Sequence, residues 1–214
     1  MSTGRSFLQS LLLVSEKAAN IARAIRHESH LLSLLIREKK EIEKNNRFEQ
    51  DFKTLTDVLV QEVVKHDLGK EYPILVKHIC GEESNEFTTS DGEVLYLHVG
   101  ETEEDTSRQL LKLLGDERPA NLLAKLVHSS VDINSINTTE VPFTNGILPI
   151  EELSIWIDPI DSTAQYINGG CTKMGDLFTE GLPCVTVLIG AFHRKTGLAV
   201  AGVINQPFLC EKDN

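Results

Sequence analysis

The chain has 214 residues, 41% hydrophobic and 25% charged, an ordinary globular composition sized for one large domain. Its formal net charge is -11, from 21 Lys+Arg against 32 Asp+Glu, which argues against nonspecific binding to nucleic acid or an anionic membrane. No apolar run approaches the roughly 18 residues of a membrane span, and the patch Leu11-Leu12-Leu13-Val14 runs into charge without the cleavage site of a signal peptide.

Taken in chain order, residues 6–29 read as a helix, with Ala18, Ile21, Ala22 and Ile25 on one face at the i, i+3, i+4, i+7 spacing. The helix pattern resumes over 31–47 and turns heavily charged, where Arg37, Lys39, Lys40 and Lys44 form either a solvated face or an electropositive rim for an anionic ligand. Thr54–His66 is a second amphipathic helix striped by Leu55, Val58, Leu59 and Val63, with Gly69 beyond its end. Residues 72–80 pass from helix to a short strand ending at Cys80, and 94–99 form a strand. A helix over 103–114 stops at Gly115, and Pro119 opens the next, through His128. The polar stretch 129–150 reads as a loop, 153–158 as a strand, and 184–192 with 198–207 as a hairpin turning at 193–197. Helices precede strands, so the expected class is α+β in layers rather than a parallel βαβ array. The four cysteines, Cys80, Cys171, Cys184 and Cys210, lack CxxC spacing and read as buried, reduced thiols of a cytoplasmic protein. His66, His98, His128 and His193 lie away from the motifs below and read as surface or loop residues rather than catalytic bases.

The chemistry concentrates in Trp156-Ile157-Asp158-Pro159-Ile160-Asp161-Ser162-Thr163. An apolar strand ends in Asp158, Pro159 turns the chain and removes a backbone donor, and Asp161 follows just before a helix start. Two carboxylates at such a turn repel unless a proton or a metal sits between them, and hard oxygen ligands suit Mg²⁺. The helix start offers N–H groups to a phosphate. Asp161 and Ser162 could instead simply cap the helix. Gly81-Glu82-Glu83-Ser84 follows an apolar segment and could be solvated surface, and Asp57 sits in a first helical turn where negative charge is favoured anyway. Together Asp57, Glu82, Glu83, Asp158 and Asp161 make five carboxylates, enough for two or three divalent ions. An acidic chain with an anionic substrate needs such a local cation.

This constellation resembles the magnesium-dependent, lithium-inhibited phosphomonoesterase superfamily that includes inositol monophosphatase. The shared pattern is an early Asp, then GEE, then DPxD(G/S)T. Most members carry Gly after the second Asp of the last motif, where this chain has Ser162. The stretches VSEKAANIARA (14–24), DFKTLTDVLVQEVVK (51–65), GEESNEF (81–87), WIDPIDSTAQYINGG (156–170) and GVINQPF (202–208) extend the resemblance from one end of the chain to the other.

The resemblance implies a layered α+β sandwich of the sugar-phosphatase type. Residues 1–214 would form the N-terminal lobe, its helices plus antiparallel sheet, with the second lobe and its Trp-Asp motif missing. It implies that Glu82, Asp158 and the carbonyl of Ile160 hold one Mg²⁺, and that Asp158 and Asp161 hold a second. Glu83 would serve a further ion, and Li⁺ would inhibit. Thr163, oriented by Asp57, would contact the attacking water, with Glu82 also at the catalytic centre, while Asp161, Ser162 and Thr163 meet the phosphate. The implied reaction removes the 1-phosphate of inositol 1,4-bisphosphate and inositol 1,3,4-trisphosphate by in-line attack of water. The implied partners are the small-molecule inositol polyphosphate, and this chain itself or a longer form of the enzyme. Because the chain ends at Asn214, before the Trp-Asp motif, weak or no turnover is expected from it, and the alternative is a catalytically impaired metal-binding or regulatory module. A bisphosphate nucleotidase activity is the related enzymatic alternative, against which Ser162 and GEESNEF argue.

Overall fold

The computed structural model describes residues 6–28, 37–38, 52–88, 93–136 and 149–209. Helix α1 (Phe7–His27) opens with a capping box in which Ser6 and Gln9 each bond the other's backbone N–H. Its apolar stripe, Phe7, Leu11, Val14, Ala18, Ile21, Ala22 and Ile25, is buried. Two short strands, β1 (Arg37–Glu38) and β2 (Phe52–Lys53), pair antiparallel. The helix expected over 31–47 is therefore corrected at 37–38. There the pairing of Arg37 with Lys53 and of Glu38 with Phe52 satisfies the backbone as strand, and 29–36 and 39–51 lie outside the described residues. Lys39, Lys40 and Lys44 lie outside the described residues.

Helix α2 (Leu55–Glu71) is buried nearly all round, from Leu55 through Val64 and again at Leu68 and Gly69, as a central helix must be. Gly69 thus lies inside the helix rather than beyond it. A Cβ there would come within 3.1 Å of Val76 Cγ2, so the missing side chain lets the following 3₁₀ turn, Pro73–His78, pack against the helix end. Strand β3 (Ile79–Gly81) follows, then the small antiparallel pair β4 (Glu86–Thr88) and β5 (Val94–Tyr96). β5 is shorter than expected, because at Leu97 the chain leaves the ladder and its N–H bonds Asn85 O at 2.9 Å.

Helices α3 (Glu103–Leu114) and α4 (Glu117–His128) pack on each other. Gly115 ends α3 in the left-handed conformation, φ 68°, as anticipated. Helix α4 starts two residues before Pro119, because Asp116 caps it by accepting Arg118 N–H at 2.9 Å. Within 129–150 a 3₁₀ turn occupies Ile133–Ser135 and another begins at Ile150, while 137–148 lie outside the described residues.

The main sheet contains β6 (Leu153–Asp161), β9 (Thr186–His193), β10 (Ala199–Asn205) and β3, in the order β10-β9-β6-β3. Neighbours run antiparallel except β3 and β6, which are parallel, so the sheet is mixed and the class is α+β. Between them, helix α5 (Thr163–Asn168) and a hairpin not anticipated from sequence, β7 (Cys171–Met174) with β8 (Leu177–Gly181), lead back to the sheet. One face of the sheet, with Leu153, Ile155, Ile157, Val187, Ile189, Ala191 and Val203, packs under α1 and α2 into a single core. The other face carries Trp156, 52% exposed. The cysteines are not buried as expected: Cys80 and Cys171 are exposed and Cys184 is half-buried, because Cys80 and Cys171 lie at outward strand positions, and Cys210 is outside the described residues.

Candidate active site

Strand β6 does not end at Asp158 as anticipated but continues to Asp161 through a bulge. Asp158 faces Leu188 and Asp161 faces Thr186, so three steps along β6 match two along β9. In a regular strand, residues three apart point to opposite faces. The extra residue reverses that, and Asp158 and Asp161 share the face of Leu188 and Thr186. Pro159, with no N–H to lose, fits the interrupted ladder. Asp161 is anchored there by Thr186, whose hydroxyl donates to Oδ2 at 3.2 Å.

The loop after β3 brings in the next carboxylates. Glu82 N–H donates to Ile157 O at 3.1 Å, which fixes the loop beside β6. Burial, then the charges of Glu82 and Asp161, then a hydrogen bond with Glu82 and the charge of Glu83 push the Asp158 carboxyl from its ordinary 3.8 up to about 7. The four acids Glu82, Glu83, Asp158 and Asp161 therefore form one electrostatic cluster, with Asp158 hydrogen-bonded to Glu82. Asp158 Oδ1 is buried with no hydrogen-bond partner.

Asp57 approaches from α2. It is 1% exposed and occupies the third helical position, where Thr54 N–H and Thr54 Oγ1–H both donate to its Oδ2, at 2.7 and 2.5 Å. Its other oxygen, Oδ1, lies 3.4 Å from Thr163 Oγ1, which is also 2.9 Å from Ile160 O. A threonine hydroxyl has one proton and here two acceptors, the nearer being the Ile160 carbonyl. Ser162 precedes α5 with φ 68°, a left-handed conformation that favours glycine, and its side chain makes no capping bond. Capping therefore does not account for Ser162. Tyr166 holds α5 in place. Its hydroxyl donates to Ala22 O at 3.0 Å and meets Thr56 Oγ1 at 3.0 Å, while burial pushes its phenol well above the ordinary value of 10.0.

The structure thus gathers the sequence-identified residues into two linked groups. Glu82, Glu83, Asp158 and Asp161 form the acidic cluster, and Asp57, Thr163 and Ile160 form a hydrogen-bonded relay beside it. The histidines stay outside both, but His66 and His128 are helical rather than loop residues. Their rings lie 6.2 Å apart in a part-buried network with Lys17, Asp67 and Thr106. Sequence reading missed Lys53 and Gln61. Lys53, buried, donates to Ser84 O, Ser84 Oγ and Glu86 O at 2.6, 2.8 and 3.1 Å. Gln61 is fully buried, and its amide pairs with the backbone of Glu83. The available signal was an amide one helical turn after Asp57 on the same face of α2.

Among the described residues no three His, Cys, Asp or Glu side chains close on one point as a finished metal cage. The donor set nevertheless fits a hard divalent cation. It is all oxygen and in excess of negative charge, and it contains a buried carboxylate oxygen without a partner.

Fold and site together define a layered α+β protein with an acidic centre at a bulged strand end. The chain belongs to the Inositol monophosphatase family, whose sequence profile matches residues 8–213. It is 50% identical over 204 residues to inositol polyphosphate 1-phosphatase of Mus musculus, covering 94% of this chain and 51% of that protein. It is 51% identical over 207 residues to inositol polyphosphate 1-phosphatase of Bos taurus, covering 95% of this chain and 51% of that protein. Against 3'(2'),5'-bisphosphate nucleotidase 1 of Rattus norvegicus the identity is 28% over 159 residues, 74% of this chain and 36% of that protein. The chain spans about half the length of the curated relatives it matches. Among the described residues no helix is long and apolar enough to cross a membrane.

Proposed function

We propose that the acidic cluster is the centre of a Mg²⁺-dependent phosphomonoesterase acting on inositol polyphosphates, and that the bond it serves is the 1-phosphate ester of inositol 1,4-bisphosphate and inositol 1,3,4-trisphosphate. The observation that carries this reading is the partnerless Asp158 Oδ1 among three further carboxylates, beside a threonine hydroxyl shared between Asp57 and Ile160. Identity of about half to proteins named inositol polyphosphate 1-phosphatase supports the substrate class.

In this reading Glu82, Asp158, Asp161 and the Ile160 carbonyl hold Mg²⁺, with Glu83 at a further ion. Bound Mg²⁺ supplies charge neutralisation and a lowered water pKa. Asp158, its carboxyl pushed up to about 7 in the metal-free chain, would hold the cation as the carboxylate, its proton lost to solvent. With the Ile160 carbonyl held by the cation, the Thr163 hydroxyl would donate to Asp57 Oδ1 and its oxygen would accept from the attacking water. Asp57 can accept because Thr54 already holds its other oxygen. Asp161, Ser162 and Thr163 meet the phosphate at the start of α5, and Li⁺ inhibits by competing for the same carboxylates.

The test is phosphate release from inositol 1,4-bisphosphate by the purified chain, with and without Mg²⁺, alongside a calorimetric Mg²⁺ titration and the Asp158→Asn variant. Release that requires Mg²⁺ and is lost in the variant supports the reading. A chain that binds no Mg²⁺ refutes it. A second reading is a metal-binding module that is itself impaired in catalysis. Mg²⁺ binding without release would select that module.

A further inference from the structure

The Glu82-Glu83 loop is held by a feature that the proposed chemistry leaves unused. Gln61, 0% exposed on α2, turns its amide onto the backbone of Glu83. Its Nε2–H donates to Glu83 O at 2.5 Å, and its Oε1 accepts Glu83 N–H at 2.9 Å. A side-chain amide here replaces a neighbouring strand, bonding one residue's donor and acceptor at once. The fit is close: a Cβ on Gly81 would lie 1.9 Å from Gln61 Oε1, so a larger residue there would push the amide out of its place on Glu83.

Geometry decides what the clasp acts upon. Glu82 is fixed on one side by its N–H to Ile157 O, and residues 84 and 86 are fixed on the other by Lys53. Gln61 fixes the residue between, on the same helix face and one turn beyond Asp57. The loop that delivers two of the four clustered carboxylates is therefore registered to α2, which delivers Asp57. If the backbone at 83 shifts, both carboxylates move relative to Asp158.

We infer that Gln61 is a positioning residue for cation binding: its double hydrogen bond to the Glu83 backbone sets where Glu82 and Glu83 stand against Asp158. This rests on the Mg²⁺ reading above. Residues that orient metal ligands typically control 10–100-fold in metal affinity.

The experiment is Mg²⁺ calorimetry on the full chain, comparing wild type with Gln61→Met, which keeps the volume and removes the amide, and Gln61→Asn, which withdraws it by one methylene. Urea unfolding in EDTA and the EPR spectrum of bound Mn²⁺ are recorded alongside. The expected result is a Mg²⁺ Kd raised about 10–100-fold and a changed Mn²⁺ spectrum in variants that remain folded. A Kd within twofold of wild type in either folded variant, whatever its stability, overturns the inference and leaves the Mg²⁺ reading standing. A wild-type chain that binds no Mg²⁺ overturns both. Should both variants fail to fold, hydrogen exchange at the wild-type Glu83 amide decides. Protection that rises with Mg²⁺ supports the inference, whereas an unprotected amide, or protection indifferent to Mg²⁺, overturns it.

Discussion

The sharpest consequence of the acidic cluster is that neutralising one of its carboxylates should stabilise the fold. Asp158 is held at about 7 against an ordinary 3.8 by burial and by the charges of Glu82 and Asp161. Its folded value is raised, so its contribution favours folding fully below pH 4 and is lost as pH rises through about 7. At 1.36 kcal/mol per pH unit the full cost above pH 7 is about 4 kcal/mol, which solvent screening of a half-buried group reduces to about 2–3 kcal/mol. Asn at this position mimics the protonated acid and can donate to Glu82 as the acid does. Asp158→Asn is therefore expected to raise the metal-free stability by about 2–3 kcal/mol at pH 8 and to leave it nearly unchanged at pH 4. Urea unfolding in EDTA from pH 4 to 8 reads the difference directly. Mg²⁺ should reverse the order, stabilising wild type and leaving the variant where it is. A variant less stable than wild type at pH 8, or a difference that does not change with pH, would refute the electrostatic account.

Thr163→Val keeps the shape of the side chain and removes the hydroxyl between Asp57 and Ile160. Where the chain releases phosphate, the rate should fall by about 10²–10⁴-fold, with Mg²⁺ affinity by calorimetry changed much less. Ser162→Gly relieves a left-handed residue at φ 68° and should stabilise the fold by about 1 kcal/mol in thermal or urea unfolding. A second titration lies far from the site. Burial, then the charges of His66 and Lys17, lower His128 below 6.5, so the stability it contributes is present above pH 6.5 and is lost as pH falls through the depressed value. His128→Asn should flatten that acid limb in urea unfolding between pH 7 and 5.

Most of the element order was legible because its signals are local. The stripe of α1, the Gly115 stop and the terminal hairpin follow from period and punctuation. The errors fall where tertiary context decides. Gly69 punctuates a helix in isolation, but here it makes room for Val76. The charged run at 37–38 is strand because β2 is beside it. The four clustered acids and Asp57 were identifiable as residues, yet the bulge that turns Asp158 and Asp161 to one face is a matter of register between β6 and β9, which no single segment encodes. Gln61 and Lys53 were missed for the same reason. Each acts on backbone 22 or more positions away, so only the assembled fold gives the amide and the ammonium their meaning.

The features that break local rules are also those that build the site. Ser162 takes a glycine's conformation, and Asp158 is left with a partnerless oxygen among like charges. Each costs stability, yet the two lie within five residues of one another at the end of one strand. Chance strain would scatter through the chain. Strain gathered on one turn fits a site held ready for a ligand that relieves it. A cation relieves the repulsion at Asp158, and a phosphate at the start of α5 would justify the backbone of Ser162. What holds the turn against this strain is rigid on every side: Tyr166 bound to α1 and α2, Thr186 on Asp161, and Gln61 on the opposing loop. Removing one of these supports should therefore weaken both the fold and binding, whereas neutralising Asp158 should strengthen the metal-free fold and weaken binding. That opposition of sign is what separates a functional cluster from a merely imperfect one.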